Sequence, residues 1–293
     1  MVAPIRIASA IADRRTRIRP YLVCPLWQVE LADAEDSLNC SVCQQSYPIR
    51  KDKIYFITPL SVDDQLDSLK GRLKRMLGRF YYSVGVQLIG PSFPFNYRKQ
   101  ILTYVDVCNS LVVDIGSGNQ RISENVVTLD GIDYEQVDIV ADLTALPFKT
   151  GSIDCFASRS VLEHVPELNR VIEEIKRCTR IGGLNVHHTP FLFPYHASPH
   201  DYQRFTHTGI TNLFKGWELI EQVNVGGPVS LFLILMTEFG SILLSGGNQK
   251  LKPYIYLSLC VLLFPLKFVD ILFIRRKSML VLAPTMVTVL RRP

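Results

Sequence analysis

The sequence has no tract dominated by one sign of charge. Its 32 Lys and Arg are scattered among 27 Asp and Glu, for a net charge of +5, so it carries no footprint of nucleic-acid binding and none is expected. Cysteine is sparse and odd in number: seven residues at irregular spacing exclude the disulfide framework of a small secreted domain, and they are read as reduced thiols. No long apolar core precedes the arginines of MVAPIRIASAIADRRTRIRP, and no small-residue cleavage site follows. A signal peptide is therefore not expected, and the bulk of the chain is expected in the cytoplasm. Internal repeats and low-complexity tracts are absent, which excludes solenoids and long linkers. Apolar residues are not scarce. The mean hydropathy of +0.16 is high for a soluble chain, and the excess sits in the last quarter.

Patterning divides the 293 residues into five parts. Residues 1–60 contain short apolar runs, turns and three cysteines, the mark of a small β-rich module. Residues 61–100 form a connector, charged and helix-compatible from Val62 to Arg79, then extended through PSFPFNYR. Over 101–227, strand-like runs alternate with helical stretches: LVVDIG, VVTLD, VDIVAD, IDCFASRS and LNVHHTP are five buried strands. This predicts an α/β fold with a mostly parallel sheet and helices on both faces. In PELNRVIEEIKRCTRIGG, Val171, Ile175 and Cys178 share a helical face, and Gly182 and Gly183 are expected to stop the helix. Residues 228–277 are an apolar helical insert, and 278–293 the sheet's final strand.

Chemistry gathers at the strand ends, where an open parallel sheet places its ligand crevice. The first strand ends at Asp114 and opens into a turn in which Gly116 and Gly118, flanking Ser117, let backbone N–H groups approach a ligand. Asp130 closes the second strand, where a carboxylate can accept hydrogen bonds from both hydroxyls of a ribose. Asp142 closes the third, where a carboxylate can accept from an adenine amino group while the N–H of Leu143 serves the ring. Any one of these acids is readily explained as a turn residue or cap; three at consecutive strand ends are not.

These residues resemble the class I S-adenosylmethionine (SAM)-dependent methyltransferases, in particular the type 11-like branch. VVDIGSGN, the LD at Asp130 and VADLTALPFKTGSIDCFASRSVLEHVPELNRVIEEIKRCTRIGG carry the resemblance, over roughly 105–225. It implies a Rossmann-like, seven-stranded, mostly parallel sheet, with SAM as cofactor and methyl transfer to an O or N as the reaction. Asp114, Gly116, Ser117 and Gly118 would hold the methionine end, Asp130 the ribose, Asp142 and Leu143 the adenine, with Ser158 and Arg159 near the sulfonium. Gln120 stands where many members have a third glycine. A dinucleotide oxidoreductase, the obvious rival for a glycine turn followed by an acid, lacks both the Asp before the turn and the LPF…D…LEH run.

After the fifth strand, TPFLFPYHASPHDYQRFTHTGI is rich in His, aromatic and Pro residues, and such loops carry specificity. PHDYQRFT resembles a segment of methyltransferases encoded beside polysaccharide- and lipid-modifying enzymes, which implies a small-molecule, glycan or lipid-linked acceptor. His200, Asp201 and Arg204, with His196 and Tyr202, offer a base, an orienting carboxylate and an anion clamp, and His164 after Glu163 is a second base. The plainer alternative makes Glu163 and His164 a cap for the next helix, and Asp201 and Arg204 a structural ion pair.

Cys24, Cys40 and Cys43 resemble the remains of a zinc ribbon. Tetrahedral zinc takes four N or S ligands, and Trp27 occupies the position that should close the first CxxC, so a metal-free, Trp-packed relic is expected. Finally, PVSLFLILMTEFGSILLSG and YIYLSLCVLLFPLKFVDILFI approach the roughly 20 residues that span a bilayer. Glu238, Pro265, Lys267 and Asp270 interrupt them, and Arg275, Arg276 and Lys277 follow. Helices lying at the inner face of the membrane are expected, with burial against the sheet as the alternative. A non-catalytic, membrane-associated scaffold that retains the fold is the second functional reading.

Overall fold

The computed structural model describes residues 14, 16–61, 85, 87–196, 200–274 and 276–293; the helical stretch expected over Val62–Arg79 lies outside them. Apolar runs become the strands of one sheet. Its centre is β5 (Val112–Ile115), buried along its whole length, as a parallel strand covered on both faces must be. To one side lie β6 (Val127–Asp130) and β7 (Ile139–Val140), and to the other β8 (Ile153–Arg159) and β9 (Thr179–Pro190), all parallel to β5. The antiparallel β11 (Thr285–Arg291) sits between β9 and β10 (Glu218–Asn224). These seven strands form the expected mostly parallel Rossmann-like sheet. The strand not located from the sequence, β10, is an edge strand with only Asn224 buried, so ELIEQVN shows no apolar run.

Three expectations need correction. The final strand is shorter than 278–293, because Lys277–Leu282 forms a 3₁₀ turn ahead of it. Gly182 and Gly183 do not stop the helix: α2 (Leu168–Cys178) ends at Cys178, Thr179 turns extended, and the glycine pair lies inside β9. The buried face of α2, including Val171, Ile175 and Cys178, is as expected. The described part of residues 1–60 joins the main sheet and its core. β1 (Leu31–Asp33), β2 (Ser37–Cys40), β3 (Ser46–Arg50) and β4 (Lys53–Tyr55) form an antiparallel run whose β4 pairs parallel with β7, Ile54 opposite Ile139. Leu22, Tyr47 and Phe56 share one core with Leu146, Phe148 and Ile175. A thin module with little core of its own is stabilised by joining that of its neighbour.

Two short helices flank the sheet: α1 (Tyr97–Tyr104), capped by Asn96, and α3 (His207–Leu213), capped by Thr206. The apolar insert is α4 (Pro228–Leu244) packed on α5 (Lys252–Leu263), with the chain continuing in 3₁₀ turns to Leu272.

Candidate cofactor crevice and acceptor loop

Beyond Ile115 the chain turns through Gly116 and Gly118, both left-handed at φ +61° and +58°. A Cβ on Gly116 would stand 2.5 Å from the Val161 side chain, whereas one on Gly118 would meet none of the described residues within 4 Å. Gly116 is thus demanded by packing as well as by its backbone, and Gly118 faces open space. Asp130 Oδ2 accepts from Gly118 N at 2.9 Å and Oδ1 from Ile132 N at 2.9 Å, so this carboxylate fixes the turn opposite it. Desolvation raises its pKa, and the backbone donors oppose the rise.

Asp114 is buried, and burial lifts its carboxyl to about 7 against the pull of the Arg159 guanidinium and the Tyr97 hydroxyl. Tyr97 Oη reaches Asp114 Oδ1 at 3.4 Å. Arg159 lies over the Tyr97 ring, 5.5 Å from its centroid, and donates to Gln120 Oε1 at 2.6 Å. The residue that replaces a glycine therefore holds the cation of the crevice. Asp142 is exposed, accepts from Thr144 N at 2.8 Å, and lines a 260 Å³ cavity with Pro25, Leu26, Tyr47 and Phe56 of the N-terminal segment. Leu143 is half-buried beside it.

Ser158 does not line the crevice. It is fully buried, and its hydroxyl is 2.8 Å from His187 Nδ1. His187 stacks on Phe214 and His188 on Phe95, and burial depresses both imidazoles to about 3. Sequence patterning missed this buried pair, since HH inside a strand looks like any polar interruption.

The acceptor loop differs from expectation in which histidine points inward. His200 is exposed, and it serves the cluster through its carbonyl, which accepts from His164 Nδ1 at 2.6 Å. His196 replaces it. Its backbone N–H donates to Asp201 Oδ2 at 2.9 Å, and its ring packs edge-on against His164, centroids 5.1 Å apart. Asp201 thus orients His196, not His200. Arg204 is turned into the loop itself: it pairs with Asp201 and donates to the carbonyls of Phe193 at 3.1 Å, Pro194 at 2.9 Å and Gln203 at 2.9 Å. With its fork occupied, it is a structural brace.

Glu163, on the 3₁₀ turn Leu162–His164 after β8, is fully buried, and among the described residues neither carboxylate oxygen has a donor in good hydrogen-bond geometry. Desolvation lifts its pKa to about 7, despite the favourable Arg204 charge and the nearby Ser160 hydroxyl. The loop is clamped to this turn by Tyr202 N, donating to Glu163 O at 2.8 Å, and by Gln203 Nε2, donating to Val165 O at 3.1 Å.

At the N-terminal end, Cys24 Sγ lies 3.8 Å from Cys43 Sγ and 3.3 Å from Tyr47 Oη, and Cys43 N donates to Cys40 Sγ at 3.5 Å. The three thiols converge, but Trp27 does not pack over them: it is 57% exposed, because the turn that carries it projects into solvent. Tyr47 takes the place assigned to it.

Residues 98–186 match the family model described as Methyltransferase domain. An uncharacterized methyltransferase of Mycobacterium sp. (strain KMS) is 47% identical over 53 residues, which are 18% of this chain and 21% of that protein. One of Mycolicibacterium gilvum (strain PYR-GCK) is 49% identical over 53 residues, with the same coverage. The chain thus spans about a fifth of the length of the curated relatives it matches (21%). Among solved structures, it is similar to Haemonchus contortus phosphoethanolamine N-methyltransferase 2 in complex with SAM, at 15% identity over 78% of this chain and 61% of that one, TM-score 0.46. It is also similar to the YcgJ protein of Bacillus subtilis, at 12% identity over 67% and 98%, TM-score 0.41.

Proposed function

We propose that the protein transfers a methyl group from SAM to an oxygen or nitrogen of a small-molecule, glycan or lipid-linked acceptor. The observation that carries this reading is the crevice over the methyltransferase-domain segment, where Gly118 borders open space and Asp130 and Asp142 stand at successive strand ends. The donor set fits the cofactor. Each Asp130 oxygen has one backbone donor and keeps lone pairs for vicinal hydroxyls. Asp142 stands free to accept from an amino group, and Arg159 with Asp114 lies where a zwitterionic amino-acid end would be met by both signs of charge. When bound, SAM supplies an electrophilic methyl group on a cationic sulfur. The residues' share is to hold that group in line with the acceptor and to exclude water, which is where much of the rate of such a displacement arises. Calorimetric titration of the protein with SAM and S-adenosylhomocysteine tests the reading. Micromolar binding of both is the expected outcome, and binding of neither removes the enzyme reading and leaves the scaffold.

We also propose that α4, α5 and the turns that follow rest on a membrane surface. Their polarity is inverted. Ser230, Thr237, Ser241, Lys267 and Asp270 are buried, while Phe232, Leu235, Phe239, Leu243, Leu262 and Ile271 are at least half exposed. The stretch Lys252–Leu272 is long and apolar enough to cross a bilayer, and only 17% of its 18-residue apolar window is buried. The polar groups expected to oppose insertion are sheltered: Lys267 donates to the carbonyls of Gln87 and Gly90, each at 2.7 Å, Asp270 accepts from Val229 N and Ser230 N at 2.8 and 2.7 Å, and Glu238 pairs with Lys252. Both ends of the insert return to one sheet, through β10 and β11, which permits two crossings or none but not one, and the charged residues within the hairpin favour helices lying in the interface. Exposed Lys250, Arg276 and Lys277 suit an anionic leaflet, and a lipid-linked acceptor would be met there.

A further inference from the structure

A carboxylate that is fully buried and has no aligned donor is costly unless a cation completes it. Glu163 is in that position, and two imidazoles face it. His164 Nε2 and His196 Nε2 each lie 3.8 Å from Glu163 Oε1, and one ligand atom from each of the three residues lies within 4.8 Å of the others. A tetrahedral ion with bonds of about 2.1 Å holds its ligands about 3.4 Å apart, so side-chain adjustments of roughly an ångström close the set.

The rings are already turned for this. A carbonyl oxygen only accepts, so the contact of His164 Nδ1 with His200 O at 2.6 Å puts the proton on Nδ1 and leaves the Nε2 lone pair facing Glu163. The Nδ1 of His196 accepts from Arg204 Nη2 at 3.3 Å and lies 3.4 Å from Asp201 Oδ2, so ligation by Nε2 moves the ring proton to Nδ1, where Asp201 is at hand to accept a hydrogen bond from it. Imidazoles braced through the second nitrogen by a carbonyl and a carboxylate are the usual outer shell of metal-binding histidines. We propose that Glu163, His164 and His196 bind one divalent first-row metal ion, for which two imidazoles and a carboxylate suit zinc best.

Val161, two residues before Glu163, packs on Gly116, so the segment that supplies two of the ligands borders the glycine turn of the crevice. Three protein ligands leave a position open. An acceptor hydroxyl entering it would lose its proton to water more readily; this role, unlike the binding site itself, rests on the methyltransferase reading.

The test is titration of chelator-stripped full-length protein in detergent with zinc chloride, and with cobalt chloride to read the ligand set from the absorption spectrum. Cys40→Ser separates this site from the thiol cluster. His164→Asn keeps a donor for His200 O while removing the Nε2 ligand, and His196→Ala and Glu163→Gln remove the others. Melting curves verify that each variant is folded. The expected result is one equivalent of metal bound through N and O ligands, unaffected by Cys40→Ser. Affinity should fall at least 100-fold in His164→Asn and His196→Ala, and 10- to 100-fold in Asp201→Asn. No binding to the wild type, or binding that disappears only with Cys40→Ser and shows thiolate-to-cobalt charge transfer, overturns the proposal. SAM titration of the same samples keeps the two readings apart, since metal bound without SAM binding defeats only the enzyme reading.

Discussion

Replacing Asp130 by Ala separates the two tasks assigned to that carboxylate. Within the protein it accepts from Gly118 N and Ile132 N, both at 2.9 Å. Asp130 is only partly buried and both donors border the open crevice, so water replaces the carboxylate and folding stability falls by about 1–2 kcal/mol. Toward the cofactor the loss is larger. The carboxylate would accept from two hydroxyls through charge-assisted bonds, and losing such contacts costs about 1.5–3 kcal/mol. At about 1.4 kcal/mol per tenfold, SAM affinity drops roughly 10- to 100-fold, with a further loss from the slackened glycine turn. Calorimetry with SAM and S-adenosylhomocysteine gives the affinity, and thermal melting without ligand gives the stability. A variant that melts within a few degrees of the wild type yet binds SAM equally well would refute the assignment of this strand end to the cofactor.

Asp114 is raised to about 7 by burial, so the folded state holds its proton up to a higher pH than the unfolded chain; its contribution to stability is present at acid pH and is lost as the pH rises from about 4 to 7. Comparing melting temperatures of the wild type and Asp114→Asn across that range should show the wild type losing ground steadily as pH increases, and parallel curves would contradict the burial argument. Gly116→Ala meets Val161 at 2.5 Å as well as an unfavourable φ, whereas Gly118→Ala meets only the φ. Denaturant unfolding should show about 2–4 kcal/mol lost for the first and about 1 kcal/mol for the second, and equal losses would mean that Val161 yields freely. Flotation with phosphatidylglycerol-containing vesicles should carry the full-length chain upward. Phosphatidylcholine alone should carry less, and the triple change Phe232→Ser, Leu235→Ser, Phe239→Ser should lower recovery several-fold; protein staying wholly at the bottom with every vesicle would rule out the membrane surface.

The local signals sufficed where one short stretch decides the outcome. Buried runs such as LVVDIG, the left-handed demands at Gly116 and Gly118, and acids at the ends of β6 and β7 follow from residue type and near-neighbour spacing, so the parallel sheet and the candidate crevice at its strand ends were legible in order along the chain. Other features were settled by groups far apart in sequence. Residues 1–60 read as a module because nothing local tells that β4 will pair with β7, where Ile54 meets Ile139; that pairing depends on a core too thin to stand alone. Ser158 turns inward because His187, on the neighbouring strand, supplies its partner. Trp27 faces solvent because Tyr47 fills the space beside the thiols. Arg204 is spent on the loop's own carbonyls, while His196 rather than His200 faces Glu163, since a backbone carbonyl and a carboxylate brought together by loop packing fix which ring turns inward. Hydrogen bonding and burial across such separations depend on three-dimensional proximity, and composition or periodicity carries no record of it.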